Sequence, residues 1–356
     1  MGFTMGEGRL GKCSALLMLM VMLWVFTPVC TWAGTDSAVI FMYHRFGDAR
    51  FSSTNIRMDQ FKAHLAYLED NGFKVAPLNE VVAALKKGEE LPDKTVVLTM
   101  DDAYASLYDN AWPLLKEKGW PFTVFVSTDV VDHHYKDYMT WDQLREISEG
   151  GAQVANHTAS HPYMIKRFDE ETQIQWLGRL QADILKAQGR LEEEIGTCPQ
   201  LLAYPYGEYN TQVANMVSEL GYTAFGQNSG AVGTFTDLRA IPRFPLSERY
   251  GDMKAFHMKA NARALPVVSE TPWNPQTLET RPELEITLAP TDALLDELSC
   301  YVSGQGRVEI QWVIPGKRFK VQARDALSVG RHKYNITVPG KDRSIYHWFS
   351  RQWIVR

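Results

Sequence analysis

Short, nearly continuous apolar runs recur through the first two thirds of this 356-residue chain, each followed by a stretch of helical period, and this alternation constrains the fold most. Runs at 38–43, 97–100, 122–126, 152–155 and 223–225, with another closed by Ala203, lack the in/out alternation of a half-exposed sheet. They read as strands buried on both faces, as in a parallel sheet. The segments 58–71, 79–87, 104–118, 141–148, 172–188 and 211–220 read as the crossing helices; in the first, Phe61, Leu65 and Leu68 fall on one face. Strand and helix in alternation predict an α/β barrel or open sheet, with the functional residues at the carboxyl ends of the strands.

Those ends carry chemistry. The run at 97–100 stops at Asp101-Asp102, where adjacent carboxylates escape mutual repulsion only if the backbone turns and each finds its own partner. An acid there would equally serve as a helix N-cap. The run at 152–155 leads to His157 and His161, a spacing that puts two imidazoles on one face of a helical turn. Two imidazoles and a carboxylate make a three-ligand metal site with open positions, as in catalytic zinc and non-haem iron centres. A third run closes in Tyr204-Pro205-Tyr206-Gly207, where Pro and Gly impose a fixed turn able to aim a backbone N–H. The first run delivers His44, which would otherwise be a satisfied core histidine.

Together, Thr99-Met100-Asp101-Asp102-Ala103, His157-Thr158-Ala159-Ser160-His161 and Pro205-Tyr206 resemble the motifs of the polysaccharide deacetylases, the NodB-homology or carbohydrate esterase 4 family, over residues 38–245. Met100 stands where that family has Phe and Ala103 where it has Gly, a change that matters if the residue needs positive φ. No Arg precedes Pro205 at the motif place, leaving Arg243 or Arg45 as substitute. Tyr43-His44 is similar to the circularly permuted poly-N-acetylglucosamine deacetylases, the branch closest in layout, in which the matching His is the general acid; His257 is the later alternative. The resemblance implies a distorted (β/α) barrel in which Asp102, His157 and His161 hold a divalent metal, with zinc expected. It also implies Asp101 as base, His44 as acid and the Tyr206 N–H as oxyanion donor.

Residues 1–33 read as an export signal: Arg9 and Lys12, an apolar run over 14–26, and a small-residue cleavage site ending at Ala33. The mature chain is then periplasmic or extracellular, with no membrane span left. A formal charge of −5 without a basic stripe excludes a nucleic-acid partner. Beyond the signal, Cys198 and Cys300 remain, to pair in an oxidising compartment or to stay as buried thiols.

The barrel domain is expected over 34–265, and Pro266, Pro272, Pro275 and Pro282 mark 266–282 as a linker. Alternating runs from 284 onward predict a small all-β sandwich over 283–356, whose aromatic residues serve its core or stack on sugars. On this division the barrel would fold without the sandwich. The expected activity is metal-dependent hydrolysis of N-acetyl groups on amino sugars of an exported polysaccharide. The alternatives are an inactive carbohydrate-binding homologue, in which Asp101 and His44 have no task, and a 2-His-1-carboxylate iron enzyme, which needs no second Asp.

Overall fold

Six parallel strands pair in the spatial order β1 (Ser37–Tyr43), β2 (Thr95–Asp101), β3 (Thr123–Val126), β4 (Gln153–Asn156), β5 (Leu201–Ala203) and β6 (Thr223–Phe225). A seventh, β7 (Phe244–Pro245), lies parallel to β1 on its other side, and Ile241 just before it bridges to Phe225 of β6. The segment 241–245 thus touches both edges and curls the sheet into a distorted barrel. This is a computed structural model; it describes Gly2, Gly34–Thr35 and residues 37–356. The expected export signal, Gly2 apart, lies outside the described residues.

Strand period explains where the core sits. Ile40, Val97, Phe125, Ala155, Ala203, Phe225 and Ile241, one from each successive strand and the closing segment, meet in a single buried cluster inside the barrel. Their neighbours Val39, Phe41, Leu98, Val124 and Val154 point outward under helices α1 (Met58–Asp70), α3 (Trp112–Lys118) and α4 (Trp141–Glu149); α2 (Leu78–Lys87) joins the inner cluster instead. The longest helix, α5 (Gln173–Ile195), starts at a capping box in which Thr172 Oγ1 accepts the Gln175 N–H at 3.3 Å and the Gln175 side chain accepts the Thr172 N–H at 2.9 Å. Such a cap is worth about 1 kcal/mol. The expected helix 104–118 forms from Ala105 onward, with a wider π-turn over Leu107–Ala111 ahead of α3, where Pro113 supplies no N–H. Helix α6 (Thr211–Glu219) and α7 (Met253–Ala260) complete the set used below.

The C-terminal part is a sandwich of two sheets. One contains β8 (Val267–Thr271), β9 (Glu283–Leu288), β12 (Gln311–Ile314) and β13 (Arg318–Gln322). The other contains β10 (Ser299–Val302), β11 (Gly306–Val308), β14 (Gly330–Pro339) and β15 (Tyr346–Val355). Leu284, Ile286 and Phe319 of the first pack against Tyr334, Ile336 and Trp353 of the second.

The stretch 266–282 differs from the linker expected. It supplies β8, and Gln276–Thr277 pairs with β15, so its prolines sit at strand ends and not in a free tether. Arg263–Ala264 also pairs with β15, and Ala33–Arg356 form one compact unit. Cys198 and Cys300 are both buried and unpaired, and burial pushes their thiols up to about 11 and about 12. No helix among the described residues is long and apolar enough to cross a membrane.

Candidate active site

Residues 97, 99 and 101 of β2 share one face, so Asp101 points into the barrel, where it is fully buried against Arg243. Arg243 grips it with two parallel bonds, Nη1 to Oδ1 at 2.7 Å and Nη2 to Oδ2 at 2.8 Å. The guanidinium is itself fixed, donating from Nε to the Gly226 carbonyl at 3.0 Å and from Nη1 to Thr99 Oγ1 at 3.2 Å. Burial alone would raise the Asp101 carboxyl, but the Arg243 charge and hydrogen bonds, with the His157 and His44 charges, together outweigh it and hold the group below the usual carboxylate range. Of the two candidates for the missing motif arginine, then, Arg243 meets the acid. Arg45 instead pairs with Asp48 at 3.2 Å and lies 3.5 Å over the Tyr104 ring.

The backbone turns left-handed at Asp102 (φ 76°) and Ala103 (φ 56°), which peels Asp102 away from Asp101 toward the histidines. Asp102 Oδ1 lies 3.3 Å from His157 Nε2 and 3.4 Å from His161 Nε2. One ligand atom from each of the three lies within 4.8 Å of the others. His157 Nδ1 donates to the Ala203 carbonyl at 2.7 Å, which leaves the Nε2 lone pair facing Asp102, the orientation a metal ligand requires. Burial raises and the His157 hydrogen bond lowers the Asp102 carboxyl, with a net fall. The two imidazoles diverge: His157 is raised, burial being overcome by its bond to Asp102 together with the Asp101 and Asp102 charges and the Ala203 carbonyl, while burial and the His157 charge push His161 down to about 4. One carboxylate supports one extra proton, and a cation would take that place. The trio fits a divalent metal.

His157 and His161 do not meet on a helical turn. The link is a loop in which the Thr158 N–H donates to Asn156 Oδ1 at 2.7 Å and the His161 N–H to Thr158 Oγ1 at 3.1 Å, while Asp183 accepts the Ala159 N–H at 3.1 Å. Side-chain acceptors divert this backbone from the helix. Of nine non-glycine residues with positive φ among the described residues, five (Asp102, Ala103, Thr158, His161 and Tyr206) lie in these strand-end turns, so backbone strain concentrates at the site.

Tyr206 (φ 60°, ψ 4°) lies in the turn after β5, its ring stacked on Tyr163 at 4.0 Å and edge-on to His161 at 4.5 Å. Next to it a Cβ on Gly207 (φ 68°) would sit 2.6 Å from the Gln227 Cβ, so only glycine allows this approach. His44 follows β1 half-buried, near enough for its charge to be felt at Asp101, Asp102 and His161. His257 is exposed on α7 against Tyr67 and takes no part.

Sequence reasoning missed two groups. The Tyr104 and Tyr138 rings lie tilted against each other at 4.9 Å beside Asp102; burial and then the Asp102 charge raise Tyr104 far above the usual phenol range. The sandwich also grips the turn. Arg331 Nη1 donates to the Tyr206 carbonyl at 2.6 Å, Gln352 Nε2 to the Gly207 carbonyl at 2.9 Å and Lys333 Nζ to the Gln227 carbonyl at 2.7 Å. No motif signals these contacts, because each joins residues more than a hundred positions apart.

A curled parallel sheet whose carboxyl ends gather a buried Arg-held carboxylate and an Asp-His-His trio has the layout of the family that the motifs resemble. Residues 88–225 match the family model described as polysaccharide deacetylase. Among curated proteins, it is 27% identical over 231 residues to the poly-β-1,6-N-acetyl-D-glucosamine N-deacetylase of Escherichia coli (strain K12), covering 55% of this chain and 34% of that protein. It is 25% identical over 232 residues to the Staphylococcus aureus (strain MRSA252) protein of the same name, covering 60% and 80%. The chain thus spans about a third of the length of the Escherichia coli relative. Among solved structures, IcaB from Ammonifex degensii superposes with a TM-score of 0.54 at 24% identity, over 63% of this chain and 98% of that one. The Streptococcus pyogenes deacetylase PplD in complex with acetate gives 0.55 at 22%, over 61% and 95%. These likenesses bear out the barrel fold.

Proposed function

We propose that the protein is an exported, metal-dependent hydrolase that removes N-acetyl groups from the amino sugars of an extracellular or cell-envelope polysaccharide. The observation that carries this reading is the division of labour between adjacent carboxylates. Asp102 faces two imidazoles, whereas Asp101 is paired with a guanidinium and keeps its charge. A binding protein has no use for the second acid, and a 2-His-1-carboxylate iron centre needs none.

Asp102, His157 and His161 would hold a divalent metal, zinc being the expected ion. When bound, it supplies Lewis-acid polarisation of the acetyl carbonyl and acidifies water. Asp101 takes the proton of the attacking water, its carboxylate aimed by Arg243. The oxyanion is met by the Tyr206 N–H, presented by the left-handed turn. His44 gives a proton to the departing amine, which leaves poorly as an anion.

Acetate released from N-acetylglucosamine oligomers, followed with metal content, tests the reading. Asp101→Asn is expected to keep its metal and lose about a hundredfold or more in turnover, within the range for general catalysis. Asp102→Asn is expected to lose both. Equal metal occupancy in the two variants would overturn the assignment.

A further inference from the structure

Between the barrel and the sandwich runs a cleft with room for about 540 Å³, lined from one side by Gln227, Pro245, Tyr250 and Lys259 and from the other by Arg331 and Lys333 among others. Gln227 and Pro245 lie at the carboxyl ends of β6 and β7, so the cleft opens on the end of the barrel that carries Asp101 and His157. Two lysines reach into it from opposite halves of the molecule. Lys259, buried on α7, donates from Nζ to the Tyr250 carbonyl at 2.8 Å, and Lys333, half-buried on β14, to the Gln227 carbonyl at 2.7 Å. Each ammonium has three N–H donors, and these bonds use one apiece.

Neither lysine forms an ion pair with a carboxylate among the described residues. The acid felt at Lys259 is Asp252, whose carboxylate accepts the Ala255 N–H at 3.0 Å as the cap of α7. The acid beside Arg331 is Glu208, 3.6 Å away. Burial pushes both ammonium groups down to about 8, and a neighbouring cation adds to it, Lys333 for Lys259 and Arg331 for Lys333. Two ammonium groups without a carboxylate partner facing one cleft, with Arg331 at its edge, are costly unless an opposite charge enters it. At the rim, the half-exposed Tyr250 ring offers a flat face to the C–H side of a pyranose.

We infer that this cleft is a subsite for an acidic sugar, one bearing a carboxylate or a phosphate, in the glycan whose acetamido group lies at the Asp101–His157 centre. The inference rests on the deacetylase reading for what occupies the neighbouring site, but the cleft itself is tested without turnover. The full-length Asp101→Asn protein is titrated calorimetrically with the methyl glycosides of N-acetylglucosamine, N-acetylmuramic acid and N-acetylglucosamine 6-phosphate. These share one sugar and differ in having no acid, a carboxylate or a phosphate. At least one acidic sugar is expected to bind roughly tenfold more tightly than the neutral one, and which of them does so identifies the source of the charge. Lys259→Gln and Lys333→Gln should each reduce that preference, while Lys333→Arg should retain it. Equal affinity for all three sugars overturns the subsite, as does a preference that survives both glutamine substitutions. Acetate release from neutral oligomers by the unsubstituted protein reports separately: its absence defeats the deacetylase reading and leaves the binding comparison standing.

Discussion

Asp101 and Asp102 are adjacent in the chain and opposite in circumstance, because strand period sends the first inward to Arg243 and a left-handed turn sends the second out to the imidazoles. The depressed Asp101 pKa is a statement about pH. The group contributes stability above the ordinary carboxylate range, and that contribution is lost as pH falls through its lowered value. The acid limb of the rate profile should therefore lie below that range. Arg243→Met removes the largest of the charges that oppose burial, so that limb is expected to move to higher pH, whereas Arg243→Lys, keeping the charge, should move it less. His44→Gln should instead flatten the alkaline limb and slow amides more than activated acetate esters, whose leaving groups need little protonation. Rate profiles of the three variants check both claims; an unmoved acid limb in Arg243→Met would sink the pairing as the cause. The identities of these side chains were legible in the sequence because strand ends expose their chemistry. The choice between Arg243 and Arg45 was not, since the partner lies 142 residues from Asp101 and only closure of the barrel brings it there.

At the scale of elements, the turn Pro205–Gly207 depends on strands that follow it by more than a hundred residues. Arg331 of β14 and Gln352 of β15 hold the Tyr206 and Gly207 carbonyls, in the two peptides that follow the one carrying the Tyr206 N–H, and so brace the turn around it. Arg331 is accordingly a positioning residue. Arg331→Ala is expected to lower kcat about tenfold, less than outright loss of an oxyanion donor, with bound metal unchanged. Because the oxyanion forms in both reactions, amides and activated esters should suffer alike, unlike the His44 variant, and Arg331→Lys should recover part of the loss. A raised KM at unchanged kcat would show that Arg331 serves binding alone. Most helices and inner strands could be read from apolar period and capping residues, as at Thr172. Strand β15, ten residues long, could not. Its last six residues are all buried, because the sandwich core covers one face and the barrel the other, so Ser350, Arg351 and Gln352 break the apolar run without marking an exposed face.

For the whole molecule the question is whether the barrel stands alone. Its prolines suggested a tether after 265, yet Arg263–Ala264 pairs with His347 and Trp348 of β15, and Trp348 packs edge-on against Phe244, the neighbour of Arg243, at 5.1 Å. Asn228 Nδ2 donates to the Ser350 carbonyl at 3.0 Å, and Arg351, buried, pairs with Glu270 at 3.1 Å. Cutting the chain after 265 would expose this seam and free the turn that presents Tyr206. Losing a single buried aromatic costs about 3–5 kcal/mol, and a domain has only about 5–15 kcal/mol to lose. The fragment 34–265 is therefore expected to be insoluble, or soluble without a cooperative urea transition, whereas 34–356 should unfold in one step. If 34–265 unfolds cooperatively and releases acetate at the full-length kcat, the sandwich is a passenger. The seam, the grip on the turn and the cationic cleft lie along one boundary, so loss of cooperativity and loss of turnover should appear together in the fragment, as they would not if the sandwich served only to tether the enzyme.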